Sequence, residues 1–439
     1  MDAISIIEKK RDGIELTRDE IFFFVDEFMK GNITDAQAGA FLMAVTDNGF
    51  SIDEAYFYSY ALASSGTIFK ISSKDSICAD KHSTGGIFDV CSLVVVPCLA
   101  ALGYKVAKLS SPAFGVGSST LYRLSVFEGY TPNISLSKFS ETLAKVGASI
   151  IGENDDVVPA DKKLYEIRRQ TGTIPSIPLI ACSVMCKKIC MGVEALVLDI
   201  KCGEGSLVTS YDQAEELAKL MVAIGKRAGI KTTAILSNLN QPLGNKIGPS
   251  LEVKEAIETL SGTDKEGSES DLFKMCREMC AHILISSGKC VGRAIAYKRF
   301  EDTIRSGAAL SKFKQMIAAH GGSLEMVNNP SLLDPKGATI FIRADKNGYI
   351  EDIDTKSLYQ AINIIGGGKV YSGNKIKLDM GVELLVREGD KVKEGDPLAK
   401  VYYNMSDSSF SSAITIIREC FKIGKKEPVL NNLILKVLV

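Results

Sequence analysis

Positions 80–86 read Asp80-Lys81-His82-Ser83-Thr84-Gly85-Gly86, and this stretch is typical of an anion-binding turn. An apolar run over 90–103 follows it and is long enough for a helix. A turn that leads into a helix offers unpaired backbone N–H groups, and the helix dipole favours negative charge there. Glycine lets the backbone approach a phosphate closely. Lys81 supplies positive charge, and Ser83 and Thr84 supply donors. We therefore predict an oxyanion site, whereas a lone Gly-Gly pair would indicate an ordinary turn.

A second group of polar residues falls on a predicted helix. Pro178 suits a first helical turn, so Ser183 and Lys187, four residues apart, share one helix face. A hydroxyl and an ammonium on one face can hold the edge of a planar, polar ring, and Arg168 lies earlier in the same region. Taken alone, Ser183 and Lys187 are more typical of a solvated face.

Local patterns predict the elements around these residues. A capping box over 51–54 starts a helix. Residues 105–110 are typical of a strand that ends at Ser110, and 195–201 of a buried strand. The apolar spacing over 212–227 predicts an amphipathic helix. Alternation of such elements indicates βαβ units.

Four motifs, in this order, resemble those of the pyrimidine-nucleoside phosphorylases, the family that includes thymidine phosphorylase. They are Asp80–Gly86, Ser176–Lys188, Leu196–Gly203 and Asn240–Gly244. Their order and spacing hold across nearly the whole chain. The resemblance implies phosphorolysis of a pyrimidine nucleoside to free base and α-(deoxy)ribose 1-phosphate, with inorganic phosphate as co-substrate and no other cofactor; no metal is expected in this chain, because Val90 offers no side-chain oxygen and Phe88 crowds the backbone beside it.

The resemblance implies a role for nine residues, all of the expected type. The phosphate-binding positions are Lys81, Ser83, Ser92, Ser110 and Thr120, and the pyrimidine-binding positions are His82, Arg168, Ser183 and Lys187. Phosphate held by Lys81 would attack the anomeric carbon in line. Arg168 and Lys187 would stabilise the base as it leaves with negative charge. His82 could donate to a base carbonyl or act as a general acid. Lys81, His82, Arg168 and Lys187 are the expected catalytic residues.

The resemblance also implies an α/β fold with a cleft between domains. A small helical domain is expected from two segments, 1–65 and 160–190, and a larger α/β domain from 75–155 and 194–335. The segment 338–439 contains short strand patterns and Gly-Asp turns and resembles the family's hammerhead-like C-terminal module. Closure of the cleft would exclude water. The family forms homodimers through the helical domain.

Composition agrees with these expectations. The 439 residues are enough for two or three domains, and 46% apolar with 24% charged residues is typical of a globular protein. A net charge of −1 gives no support for nucleic-acid or membrane binding. The N-terminus lacks the pattern of a signal peptide. Eleven scattered cysteines then indicate reduced thiols in the cytoplasm, and the spacing of Cys182, Cys186 and Cys190 indicates core packing.

Three departures from the family pattern bear on specificity and ions. The hinge segment 110–120 keeps its end residues and loses the family's Arg and His. In it Phe114 adds bulk, while Glu204 adds a carboxylate near the cleft unless it points into solvent. Both are specificity candidates that would make thymidine and uridine poor substrates. Some family members bind a monovalent cation where Phe88 and Val90 stand here.

Two other functions remain open on the sequence alone. The family's fold is shared with anthranilate phosphoribosyltransferase, whose chemistry needs acidic Mg²⁺ ligands, and Asp89 and Asp199 are available. The altered hinge is also compatible with a relative that binds nucleosides without turnover. Dependence on phosphoribosyl pyrophosphate would identify the first, and binding without base release the second. The sequence does not specify the preferred pyrimidine nucleoside or its sugar.

Overall fold

The structure is a computed structural model that describes residues 1–73, 76–111, 119–264, 266–366, 380–404 and 410–439. It contains a helical layer made from two separated segments of the chain. The first segment carries α1 (Ala3–Arg11), α2 (Arg18–Met29), α3 (Asp35–Asn48) and α4 (Ile52–Ser64), and the second carries α8 (Pro159–Thr171) and α9 (Ile177–Cys190). Helices α2, α3 and α4 each begin at a complete capping box, which satisfies backbone donors that the helix leaves unpaired. The two segments share one apolar core.

The main sheet lies against this layer and has the strand order β1-β4-β5-β13. Its strands are β1 (Ala79–Ser83), β4 (Ala195–Cys202), β5 (Lys231–Asn238) and β13 (Ile434–Leu438). The first three run parallel, and β13 is antiparallel to β5. A separate parallel pair joins β2 (Val106–Ser110) to β3 (Ala148–Gly152). Every residue of β2, β3 and β4 is buried, as expected for strands covered on both faces.

Most of the remaining helices of this part pack into a second apolar core; the helix over Tyr211–Arg227 packs into the first core, and the helix over Leu136–Val146 contributes to both. Their bounds are α5 (Cys91–Ala101), α6 (Thr120–Leu124), α7 (Leu136–Val146), α10 (Tyr211–Arg227), α11 (Pro249–Ser261), α12 (Asp271–Ser286), α13 (Arg293–Arg305), α14 (Ala308–Ala319) and α15 (Glu325–Asn328). The cysteines at 182, 186 and 190 are all buried, so the prediction of core packing is confirmed. None of the helices in the described ranges is both long and apolar enough to cross a bilayer.

The C-terminal part is a β-rich module with its own core. One sheet has the order β6-β9-β11-β7 and another β10-β8-β12. Their strands are β6 (Lys246–Ile247), β7 (Ala338–Arg343), β8 (Gly348–Ile353), β9 (Gly381–Leu384), β10 (Lys391–Val392), β11 (Pro397–Tyr403) and β12 (Phe421–Gly424), with helices α16 (Thr355–Ile364) and α17 (Phe410–Glu419). The predicted fold class, a helical domain with a large α/β domain and a β-rich C-terminal module, is confirmed.

One local prediction was wrong. The motif at 80–86 was expected to be a turn at a helix N-terminus, but its first four residues complete strand β1, and α5 begins only at Cys91. One backbone N–H group at the start of α5 already has a partner, since the Asp89 carboxylate accepts a hydrogen bond from the Cys91 backbone N–H at 3.0 Å. The strand form arises because β1 pairs in register with buried β4.

Candidate active site

Strand β1 brings three of the predicted residues to one end of the main sheet. Successive side chains of a strand point to opposite faces. Lys81 lies against two carboxylates, with its Nζ 3.1 Å from Asp89 Oδ2 and 3.7 Å from Asp199 Oδ2. Burial lowers the pKa of Lys81, but attraction by Asp89 and Asp199 outweighs it and the net pKa is raised. The ammonium is therefore charged in the interior.

A second buried lysine, Lys108 on β2, lies on the other side of this strand. Its Nζ donates to the Lys81 carbonyl oxygen at 2.7 Å and lies 3.9 Å from Asp80 Oδ1. Burial lowers the pKa of Lys108 to about 7. Asp80 is held mainly by Lys188, whose Nζ is 2.6 Å from Asp80 Oδ2. Lys108 was not predicted as a site residue, although a lone lysine within an apolar strand is the kind of signal that marks one.

His82 lies among these lysines and is held neutral. Burial, followed by the positive charges of Lys188 and Lys108, lowers the pKa of His82 well below its usual value. Among the residues that the structure describes, neither His82 Nδ1 nor Ser83 Oγ has a hydrogen-bond partner. Buried polar atoms without partners are uncommon, so both are available to a ligand.

A small pocket lies at this point. It is lined by His82, Ser83, Thr84, Arg168, Ile174, Ile180, Val184 and Leu207. Polar groups from the sheet thus face Arg168 and apolar side chains from α9 and from the segment that precedes α9. A polar edge with apolar walls suits a flat heterocycle better than it suits a simple anion.

Arg168 is fixed by the connection between α8 and α9 and by the first turn of α9. Its Nη2 donates to the Ile174 carbonyl oxygen at 2.8 Å and its Nη1 to the Leu179 carbonyl oxygen at 3.2 Å. The side chain is 4% exposed, and burial lowers its pKa; a guanidinium nevertheless stays protonated in proteins. A positive charge therefore lies at the pocket wall.

Ser183 and Lys187 share one face of α9 as predicted, but that face is buried. The alternative of a solvated lysine face is therefore wrong. Asp161 binds both side chains: it pairs with the Lys187 ammonium and accepts from Ser183 Oγ at 2.9 Å. Glu153 lies 3.0 Å from Lys187 Nζ. Burial lowers the pKa of Lys187, but the negative charges of Asp161 and Glu153 raise it by more than burial lowers it. The net pKa of Lys187 is therefore above its usual range.

The remaining phosphate-binding candidates lie on neighbouring elements. Ser92 is the second residue of α5, Ser110 ends β2, and Thr120 begins α6. Ser92 and Ser110 are buried and Thr120 is half-buried. Ser119 caps α6 by accepting from the Tyr122 backbone N–H at 3.2 Å. The chain therefore places these hydroxyls at the ends of elements, where side chains can reach a ligand.

Comparison with known proteins gives the family. A glycosyl transferase family helical bundle domain matches residues 4–66, a glycosyl transferase family a/b domain matches 75–310, and a pyrimidine nucleoside phosphorylase C-terminal domain matches 349–424. The chain is 38% identical to a pyrimidine-nucleoside phosphorylase of Geobacillus stearothermophilus over 404 residues, which is 92% of each chain. It is 37% identical to one of Staphylococcus aureus strain MSSA476, over 95% of this chain and 96% of the relative. The chain belongs to the pyrimidine-nucleoside phosphorylase family.

A solved structure extends the likeness in fold. Anthranilate phosphoribosyltransferase from Thermus thermophilus superposes with a TM-score of 0.59 at 17% identity, covering 73% of this chain and 99% of that one. At this identity the likeness shows the fold alone. The phosphorylase family and this transferase therefore share an architecture, and the chemistry must be argued from the site.

The two specificity candidates, Phe114 and Glu204, are departures from the phosphorylase family pattern. Phe114 lies outside the described residues. Glu204 is exposed; its backbone N–H donates to Asn240 Oδ1 at 3.2 Å, and its charge acts on Lys422. The pocket around His82 is formed without Glu204. Its role in specificity stays a prediction.

The region where some members of the phosphorylase family hold a monovalent cation is apolar on one side. Phe88 and Val90 are buried, and Phe88 adopts a positive φ of 63°. Lys246, on β6, forms an ion pair with Glu258. Burial raises the pKa of Glu255 to about 7. The Lys246 ammonium therefore supplies a positive charge from the protein itself in this region.

Proposed function

We propose that this chain cleaves a pyrimidine nucleoside with inorganic phosphate, giving the free base and α-(deoxy)ribose 1-phosphate. One observation carries the proposal: His82 and Ser83, from the α/β part, share a pocket with Arg168, from the helical part. Two chain segments thus meet around a space that has a polar edge and apolar walls. Membership of the phosphorylase family supports the same reaction.

The base would be held on the helical side. Its ring would lie against Ile180 and Val184, with its carbonyl oxygens towards Arg168 and His82. A neutral imidazole can donate a hydrogen bond but carries no extra proton, so His82 acts as a donor and not as a protonated acid. As the glycosidic bond breaks, negative charge develops on the base, and the fixed charges of Arg168 and Lys187 stabilise it.

Phosphate would bind on the sheet side. Lys81 supplies a buried positive charge, and Ser83 supplies a hydroxyl that has no partner among the described residues. Lys108, with a pKa near 7, can take up a proton when a phosphate anion binds nearby, because an anion favours the charged form. The hydroxyls of Ser92, Ser110 and Thr120 complete the donor set that the family resemblance implies. Phosphate held in this way would attack the anomeric carbon in line.

A phosphoribosyltransferase activity is less supported by the same geometry. The carboxylates that could bind Mg²⁺, Asp89 and Asp199, are paired with lysines: Lys81 lies 3.1 Å from Asp89, and Lys201 Nζ lies 2.8 Å from Asp199 Oδ2. An ammonium at this distance competes with a divalent cation for the same oxygens. We also propose a cytoplasmic homodimer that uses phosphate without a further cofactor, on the strength of the family resemblance.

The proposal is tested by incubating the protein with uridine, thymidine, deoxyuridine and cytidine, with and without phosphate, and measuring free base. Base release should require phosphate. Lys81→Ala and Arg168→Ala should each lower kcat/KM by a hundredfold or more, about 2.7 kcal/mol of transition-state stabilisation. Arg169→Ala is the matched control, because the neighbouring Arg169 is exposed and pairs with Glu166. Release without phosphate, or equal activity in all three variants, would contradict the assignment.

A further inference from the structure

Glu153 lies beside the base-binding residues and has no role in the reaction described so far. It follows β3 and leads towards α8, and its side chain is 8% exposed. Its Oε1 lies 3.0 Å from Lys187 Nζ and accepts from Ser111 Oγ at 2.5 Å. Ser111 directly follows Ser110 at the end of β2. Glu153 therefore holds an ammonium of the helical part and a hydroxyl of the α/β part with one oxygen.

This carboxylate is additional to the one that holds Lys187 in its helix. Asp161 already binds Lys187 and Ser183 together. With Asp161 and Glu153 both present, two carboxylates balance the positive charges of Arg168 and Lys187. A second buried carboxylate lowers the attraction of this cluster for a departing anionic base.

Lys187 Nζ pairs with Asp161, donates to the Ser183 carbonyl oxygen at 2.7 Å and lies 3.0 Å from Glu153 Oε1, so its three N–H groups are in use. The N3–C4 edge of a pyrimidine offers an N–H that a carboxylate oxygen can accept. A 4-oxo base presents N3–H beside a carbonyl oxygen, and a 4-amino base presents a ring nitrogen acceptor beside an amino group. In the described residues the contacts of Glu153 use Oε1, so Oε2 can accept from a ligand.

We propose that Glu153 is a specificity-determining residue that accepts a hydrogen bond from an N–H on the N3–C4 edge of the base. The inference rests on the proposed function and deepens it, since it names the substrate feature that the site reads. A carboxylate makes charge-assisted hydrogen bonds, which are roughly twice as strong as neutral ones. A base without an N–H on that edge leaves Glu153 Oε2 without a hydrogen-bond donor and binds less tightly. Ser111 orients the carboxylate.

The test measures calorimetric binding of three ribosides without phosphate: uridine, cytidine and the pyrimidin-2-one riboside, which has neither N3–H nor a 4-substituent. The wild type should bind uridine or cytidine more tightly than the pyrimidin-2-one riboside. Glu153→Ala should reduce that ratio about tenfold or more. Glu153→Gln, which keeps the shape and an oxygen acceptor without the charge, should give an intermediate ratio. Ser111→Ala should give a smaller shift in the same direction.

Asp155→Asn is the matched control, because Asp155 lies in the same loop and pairs with Lys162 at 2.8 Å but is exposed. Its ratio should equal that of the wild type. A Glu153→Gln or Glu153→Ala protein that binds all three ribosides equally less well, or as well as the wild type, would overturn the proposal.

The two proposals fail separately. Base release is measured with phosphate in parallel with binding. A shifted binding ratio with no phosphate-dependent release contradicts the proposed function and leaves the reading by Glu153 intact. Release with an unchanged ratio keeps the function and removes Glu153 from specificity.

Discussion

Replacing Lys108 by methionine should change the pH dependence of folding stability. In the folded state burial lowers the pKa of Lys108 from 10.5 to about 7. Between these two values the unfolded chain binds more protons than the folded chain, so the stability of the wild type rises with pH in that window. The cost of burying the ammonium is fully present below pH 7 and is lost as the pH approaches the unfolded value.

The two pKa values set the size of the effect. For one group with these pKa values, the cost of burying Lys108 in the folded state falls by about 2 kcal/mol between pH 7 and pH 9. Lys108→Met removes this titration, and it also removes the hydrogen bond to the Lys81 carbonyl, which costs about 1 kcal/mol at every pH. The stability of the variant relative to the wild type should therefore fall by about 2 kcal/mol over the same two pH units.

The assay is urea unfolding of both proteins at pH 7, 8 and 9, followed by circular dichroism. Lys145→Met serves as the control, since Lys145 is an exposed lysine of α7 that pairs with Glu141 on the same helix. Its stability relative to the wild type should be nearly constant with pH. A difference between Lys108→Met and wild type that does not change with pH would refute the reasoning that burial controls this lysine.

Three further outcomes are expected from enzyme assays. Because His82 is held neutral, it should not titrate near pH 6.5, so the pH profiles of kcat/KM for the wild type and His82→Gln should have the same shape in that range. A transition near pH 6.5 that is present in the wild type and absent in His82→Gln would contradict the neutral imidazole. Turnover should be the same in potassium and in a bulky organic cation at constant ionic strength; recovery only with potassium would show an ion site. The double variant Phe114→Leu with Glu204→Ser should improve turnover of uridine and thymidine. If the wild type already turns over both nucleosides efficiently and the double variant does not differ from it, neither residue determines specificity.

Several parts of the fold follow directly from short-range patterns. The capping box predicted over 51–54 starts α4, and the structure shows the same local device at Thr17 and Thr34, where the residue three positions later completes each cap. Strand β4 and helix α10 were predicted nearly to their ends, since burial on both faces and amphipathic spacing leave clear periods. These features need no knowledge of distant contacts.

Other parts depend on contacts between distant residues. The motif at 80–86 becomes a strand because β4, more than a hundred residues away, pairs with it. The burial of Lys187 depends on Asp161 and Glu153, which have no spacing relation to α9 that a pattern could detect. The expected acidic addition near the cleft, Glu204, is exposed, while Glu153, which follows β3, lies 3.0 Å from Lys187. Charge pairs of this kind are visible only once the chain is folded.

The return of β13 to the main sheet has a consequence for how the protein is assembled. Its partner β5 lies almost two hundred residues earlier, with the whole β-rich module between them. Closing so long a loop is slow, because chain entropy must be lost before the pairing forms. Until then β5 presents an open edge to any neighbouring strand. Conditions that slow folding should therefore favour aggregation through β5, and a soluble yield that rises on dilution during refolding would be its signature.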